Sequence, residues 1–242
     1  MDYQKLYVNE VLTNGILSYL TFLSCSALSV CVNNYLEKHV SMSVMSVGSF
    51  IYSFYKFSTF HKIPSRSVRI DNHGTMIYID KSPGERLANL IKIMGSLGLM
   101  NGPPMNEVDR ARPGIIAYSS LISVGTAGTI FLIASKLNER KIYLKDNIHP
   151  VTIGGLLGLI TAALMTLSLT STGKKYLKSL VLLEFNLFNI MFATDCQIII
   201  NNYKNGQLDK YGDSAIIGAG LIYYFQRYVM YIANIYPCAV YK

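Results

Sequence analysis

Two acids stand inside one apolar stretch of this chain. Glu184 and Asp195 lie in the segment 177–200, eleven residues apart, with Asn186 and Asn189 between them. Eleven residues is about three helical turns, so both carboxylates fall near one face, roughly 16 Å apart along the axis. That spacing suits two groups lining one side of an internal path. It is too long for both to hold one metal ion or to share one proton. Ionisable side chains within a membrane are costly and mark ion or proton paths by default, so Asp195 heads the candidates. Glu184 lies one to two turns into its helix, where the dipole also favours an acid. In the last segment, 214–236, Arg227 follows Tyr223, Tyr224, Phe225 and Gln226. It reads either as a counter-charge for Asp195 or as a side chain snorkelling to the interface. Tyr228, Tyr231 and Tyr236 fit an interfacial aromatic belt.

Other chemistries find no support in the residue pattern. There is no nucleophile triad, HExxH, phosphate-cradling glycine loop or carboxylate-rich metal cluster. His39, His61, His73 and His149 are scattered through loops, and Cys25, Cys31, Cys196 and Cys238 form no CxxC or Cys/His group. An enzyme is therefore not expected, and neither is a cofactor or a resident metal.

The elements that must position these acids are hydrophobic helices. Of 242 residues 51% are hydrophobic and 15% charged, with a mean hydropathy of +0.30. A soluble domain carries about a quarter charged residues, so an ordinary cytosolic globule, a disordered chain and a disulfide-stapled secreted domain all fit poorly. An all-α polytopic membrane protein remains. Seven segments could enter a bilayer: 15–33, 42–60, 87–104, 114–135, 149–171, 177–200 and 214–236. The third carries Lys92 and ends in Gly102-Pro103-Pro104, which predicts a helix that stops or bends where neighbours satisfy its freed carbonyls. Residues 1–14 read as an extramembrane segment without a cleaved signal, 15–236 as one helical bundle, and 237–242 as a tail. The loop 61–86 alternates at Ser67–Asp71, turns at Asn72-His73-Gly74 and resumes an extended pattern to Asp80. This predicts a small extramembrane β-hairpin or, nearly as well, a disordered loop.

Small residues recur at helix-packing spacing. Gly154, Gly158 and Ala162, Ser119, Ser123 and Ala127, and Gly98 with Gly102 each repeat every four residues, which lets helix backbones approach closely. The net charge of +8 belongs to the loops. Thirteen Lys and Arg fall on the side of the N-terminus and seven on the other, which predicts a cytosolic N-terminus. No basic run sits in a helix-turn-helix or stacking context, so nucleic acid is not an expected partner.

The order of motifs resembles a known family. Thr194-Asp195-Cys196-Gln197-Ile198-Ile199-Ile200, followed by Tyr203 to Asp209, resembles the Asp-Thr-Gln-Leu-Ile-Ile-like signature of the Bax inhibitor-1 (transmembrane BAX inhibitor motif, TMBIM) family. Gly98 to Pro103 is similar to that family's Gly-rich, Gly-Pro third helix, and Phe131 to Leu137 with Arg140, Tyr143 and Leu144 to its fourth helix and basic loop. The similarity covers about 85–210 in matching order. It implies a bundle of six helices around a central seventh, in the endoplasmic reticulum or another intracellular membrane, with the mitochondrial inner membrane as an alternative. It also implies a pH-sensitive calcium leak and an influence on cell death. In the family the acid matching Asp195 pairs with a second Asp on the last helix. Here that stretch holds Ile216, Gly220, Leu221 and Tyr224, and the helix has only Asp213, at its entrance.

The leading expectation is a Bax inhibitor-1-like protein passing calcium or another cation passively, with Asp195 as the main site and Glu184 and Asp213 as further acids. The alternative is a non-conducting structural subunit that keeps the bundle within a larger membrane complex. A proton-coupled transporter using Glu184 and Asp195 is less favoured, because the halves show no internal repeat. The partners expected are the lipid bilayer and, for the alternative, other membrane subunits.

Overall fold

A computed structural model describes residues 3–36, 48–49, 51–53, 55–56, 67–70, 76–79, 83–144, 156–157, 159–160, 174–204 and 209–235. Five long helices account for most of them: α1 (Tyr3–Leu36), α2 (Pro83–Ala111), α3 (Ile115–Glu139), α4 (Lys174–Lys204) and α5 (Lys210–Ile235). Two strands, β1 (Ser67–Ile70) and β2 (Met76–Ile79), pair antiparallel with Ser67 opposite Ile79 and Ile70 opposite Met76. The hairpin expected in the 61–86 loop is thus present. Most of the segments 42–60 and 149–171 lies outside the described residues, as do Gly154 and Gly158.

Among the described residues three helices are long and apolar enough to cross a membrane: Lys5–Val32, Ile115–Glu139 and Ser179–Asn201. In the second of these, α3, burial is inverted relative to a soluble protein. In α3 the buried positions include Ser119, Ser123, Ala127, Ala134 and Asn138, whereas Leu121 is 73% exposed and Leu132 67%. A helix that turns its small and hydroxylated face inward and its leucines outward has lipid for a solvent. The chain is a helical membrane protein on this ground.

The chain divides into two compact units, residues 1–110 with 205–219, and residues 111–204 with 220–242. In the first, α1 and α2 touch backbone to backbone. A Cβ on Gly98 would run into the Phe22 carbonyl, and one on Gly102 into Ser29. Both glycines therefore serve helix packing.

Here the structure departs from one part of an expectation and bears out another: the helix does not stop, and a neighbour satisfies the freed carbonyl. α2 does not stop at Gly102-Pro103-Pro104 but continues to Ala111. Pro103 has no N–H to offer the Leu99 carbonyl, and the Ser29 hydroxyl donates to it instead at 3.0 Å. Ser26 does the same for Gly98 at 3.0 Å. With the Leu99 carbonyl satisfied from α1, the helix can absorb Pro103.

Helix α3 has defined ends. Pro113 disfavours a helical Arg112, and Gly114 takes a left-handed φ of 88° before α3 begins. At the other end Lys141 adopts φ 58°, and Ile142 N–H donates to the Leu137 carbonyl at 3.0 Å, closing a Schellman turn. The strand of backbone that follows is clamped by α4. Gln197 Nε2 donates to the Ile142 carbonyl and its Oε1 accepts from Leu144 N–H, both at 2.9 Å. One buried carboxamide thus pairs the backbone as a neighbouring strand would.

Candidate ion site on the acidic face of α4

Helix α4 runs unbroken through Glu184 and Asp195, so the three-turn separation read from the sequence stands. Within the membrane-capable stretch Ser179–Asn201, Glu184 lies near one end and Asp195 near the other. Their surroundings differ.

Glu184 is buried and paired. Arg227 of α5 donates from Nη2 to Glu184 Oε1 at 2.7 Å, with the two side chains 15% and 1% exposed. The guanidinium also lies 5.0 Å from the ring centre of Tyr223, within cation–π range. The counter-charge expected for Asp195 therefore belongs to Glu184. The cause is depth: α4 and α5 run antiparallel here, and Glu184 and Arg227 stand at nearly equal distances from their connection. Asp195 stands only about half as far from it.

Between the two acids lies an aromatic layer that composition alone did not single out. Phe188 stacks on Tyr223 with centroids 3.6 Å apart, and meets Tyr224 edge-on at 5.1 Å. Phe192 meets Tyr224 edge-on at 5.6 Å, and Phe185 contacts Tyr224 and Tyr228 at 5.6 and 5.4 Å. The Tyr224 hydroxyl donates to Asn189 Oδ1 at 2.8 Å, so its one polar atom is satisfied inside the layer. Gly220 makes the layer fit, because a Cβ there would collide with the Phe192 ring. The signal for this layer was available in the spacing. Phe188 and Phe192 recur at four-residue intervals from Glu184, and Gly220 stands four before Tyr224. Tyr228 is tied further along α5 by a 2.7 Å bond to Thr126 of α3.

Asp195 lies past this layer, half-buried, with Thr194, Cys196 and Gln197 buried around it. Its carboxylate makes no hydrogen bond or ion pair among the described residues. The three membrane-capable helices contain four acids. Glu10 pairs with Lys210, Glu139 with Lys136 and Glu184 with Arg227; Asp195 is the exception.

Asp213 belongs to the other unit. It is buried at 4% exposure and accepts the Tyr7 hydroxyl at 2.7 Å through Oδ2. Nearby, Asp209 caps the start of α5 by accepting Gly212 N–H at 3.1 Å, and it pairs with the buried Arg86 at 2.8 Å. No group of three His, Cys, Asp or Glu side chains is arranged to hold a metal ion among the described residues.

No model of a known protein family, no curated protein and no solved structure matches this chain.

Proposed function

We propose that this chain is a Bax inhibitor-1-like protein of an intracellular membrane, the endoplasmic reticulum by that resemblance, and a passive leak for calcium or a similar cation. A link to cell-death regulation follows from the same resemblance. The observation that carries the reading is Asp195, a carboxylate within a membrane-capable helix and without an ion-pair partner among the described residues. A membrane protein spends free energy to keep such a group only where it meets a cation, a proton or water.

The aromatic layer supplies the closed state. Phe188, Phe192, Tyr223 and Tyr224 fill the face of α4 between the two acids, and an apolar constriction stops ions by excluding their water. Passage then requires the rings to part. Protonation of Asp195 removes its attraction for a cation, which makes the leak pH-sensitive at that residue.

Reconstitution tests this. Purified chain in vesicles loaded with calcium dye should leak above protein-free vesicles, Phe192→Ala should raise the leak, and Asp195→Asn should flatten its pH dependence. Tight vesicles with every variant would remove the leak reading. A second reading, a non-conducting subunit of a larger membrane complex, would then stand. It draws on the buried Glu184–Arg227 pair and the packed rings, which suit a static bundle as well as a closed one. Co-purification of other chains in fixed ratio from mild detergent would support it.

A further inference from the structure

The chain has 22 Lys and Arg, and twenty of them lie in loops or at segment ends. The two left inside apolar segments are Arg227, which Glu184 neutralises, and Lys92. Lys92 sits in the first unit, on α2, exposed and without a hydrogen bond or ion pair from its ammonium among the described residues. It lines a groove of about 570 Å³. Thr21 and Cys25 of α1, the helical residues Gly48 and Tyr52, and Gly95 and Leu99 of α2 form the walls. The volume lies within the roughly 300–1,000 Å³ of ordinary ligand sites.

The groove has a direction. The pairs Glu10–Lys210 and Arg86–Asp209 mark one end of this unit as its charged end. Lys92 lies about 9 Å along α2 from Arg86, within the reach of a side chain that extends toward an interface. From Lys92 the groove continues about 10 Å deeper to Leu99, and its walls become small or apolar. A cation near the polar rim above an apolar channel is complementary to one molecular shape, a negatively charged head with a hydrocarbon chain hanging below it.

We propose that this groove holds an anionic phospholipid, its phosphate on Lys92 and one acyl chain along Gly95 to Leu99. The space exists because Gly48, Gly95 and Ser96 carry small side chains or none. A Cβ on Gly48 would meet nothing within 4 Å, so that wall is open. The lipid neutralises a cation that has no ion-pair partner among the described residues, as basic pockets between membrane helices do. This proposal does not depend on cation leak.

The chain contains no tryptophan, so Leu99→Trp in the full chain gives a single probe at the deep end of the groove. The protein is reconstituted in phosphatidylcholine bilayers with either phosphatidic acid or phosphatidylcholine brominated on its chains. Brominated phosphatidic acid should half-quench the probe at about one fifth the mole fraction that brominated phosphatidylcholine needs. Lys92→Gln should abolish the preference and Lys92→Arg keep it. Gly48→Leu, which has room to fold, should fill the groove and reduce quenching by both lipids. Lys136→Gln, at an exposed pair elsewhere, should change nothing. Equal quenching by the two lipids in the parent, or an unchanged preference in Lys92→Gln, would overturn the proposal. So would loss of the preference on adding millimolar inorganic phosphate, since free phosphate would then be the ligand.

Discussion

Two helix seams in this protein solve the same problem by opposite means. Between α1 and α2, glycines bring backbones into contact and serine hydroxyls satisfy carbonyls across the gap. Between α4 and α5, large rings fill the space and a buried ion pair sits at one edge. Lipid offers apolar side chains no reward for leaving it, so helices associate through packing and polar contacts. The glycine seam uses many short contacts, none of which can be lengthened without loss. The aromatic seam depends on rings that can rotate about two torsions and on one charge pair. A moving part is therefore expected in the second seam and not in the first.

The comparison is broken most sharply at Arg227. Arg227→Met alone should destabilise the protein by about 3–5 kcal/mol in detergent unfolding, because it leaves the Glu184 carboxylate buried without its guanidinium. The double variant Glu184→Leu with Arg227→Met should recover most of the loss. If it does not, the pair does more than neutralise itself. Next comes Gly98→Leu, which forces α1 and α2 apart at the Phe22 carbonyl and should cost about 1–3 kcal/mol. Ser29→Ala tests the finer claim that α1 satisfies the carbonyl freed by Pro103. Its expected cost is about 0.6 kcal/mol, the scale of hydroxyl contacts between membrane helices. Asp195→Asn should change the unfolding midpoint least, by under about 0.5 kcal/mol, since no partner is lost among the described residues. A large cost there would mean that Asp195 holds the structure together, and would weaken its role as an ion site.

Parts of this picture were legible in the residue pattern. The apolar stretches 114–135 and 177–200 correspond to α3 and α4, and the Ser119, Ser123, Ala127 spacing does mark a buried face. The alternation on either side of Asn72-His73-Gly74 located the hairpin. What escaped was interaction across helices. Gly102-Pro103-Pro104 predicts a helix that stops or bends with neighbours satisfying its freed carbonyls, but not which neighbour, since the Ser29 hydroxyl that does so lies about seventy residues away. Arg227 reads from the sequence either as a counter-charge for Asp195 or as a snorkelling side chain, and the structure pairs it with Glu184 instead. Comparing their distances from the α4–α5 connection would have pointed to Glu184.

The Gln197 clamp had a similar blind spot. A glutamine two residues after an acid suggests nothing about backbone more than fifty residues earlier, yet its carboxamide holds Ile142 and Leu144. Family resemblance drew attention to this run for its Asp. The geometry gives its Gln a structural task on the opposite face of α4, since two residues along a helix turn by about 200°.

The sequence by itself determined the solvent, the helices and the spacing of the acids. Each of these follows from hydrophobic length and from the period of a helix, which neighbouring residues set among themselves. Only the tertiary structure decided which charges are neutralised, that rings fill the face between Glu184 and Asp195, and that Lys92 opens on a groove. Those outcomes depend on how deep and at what rotation one helix meets another, and that register arises when side chains from distant parts of the chain pack together.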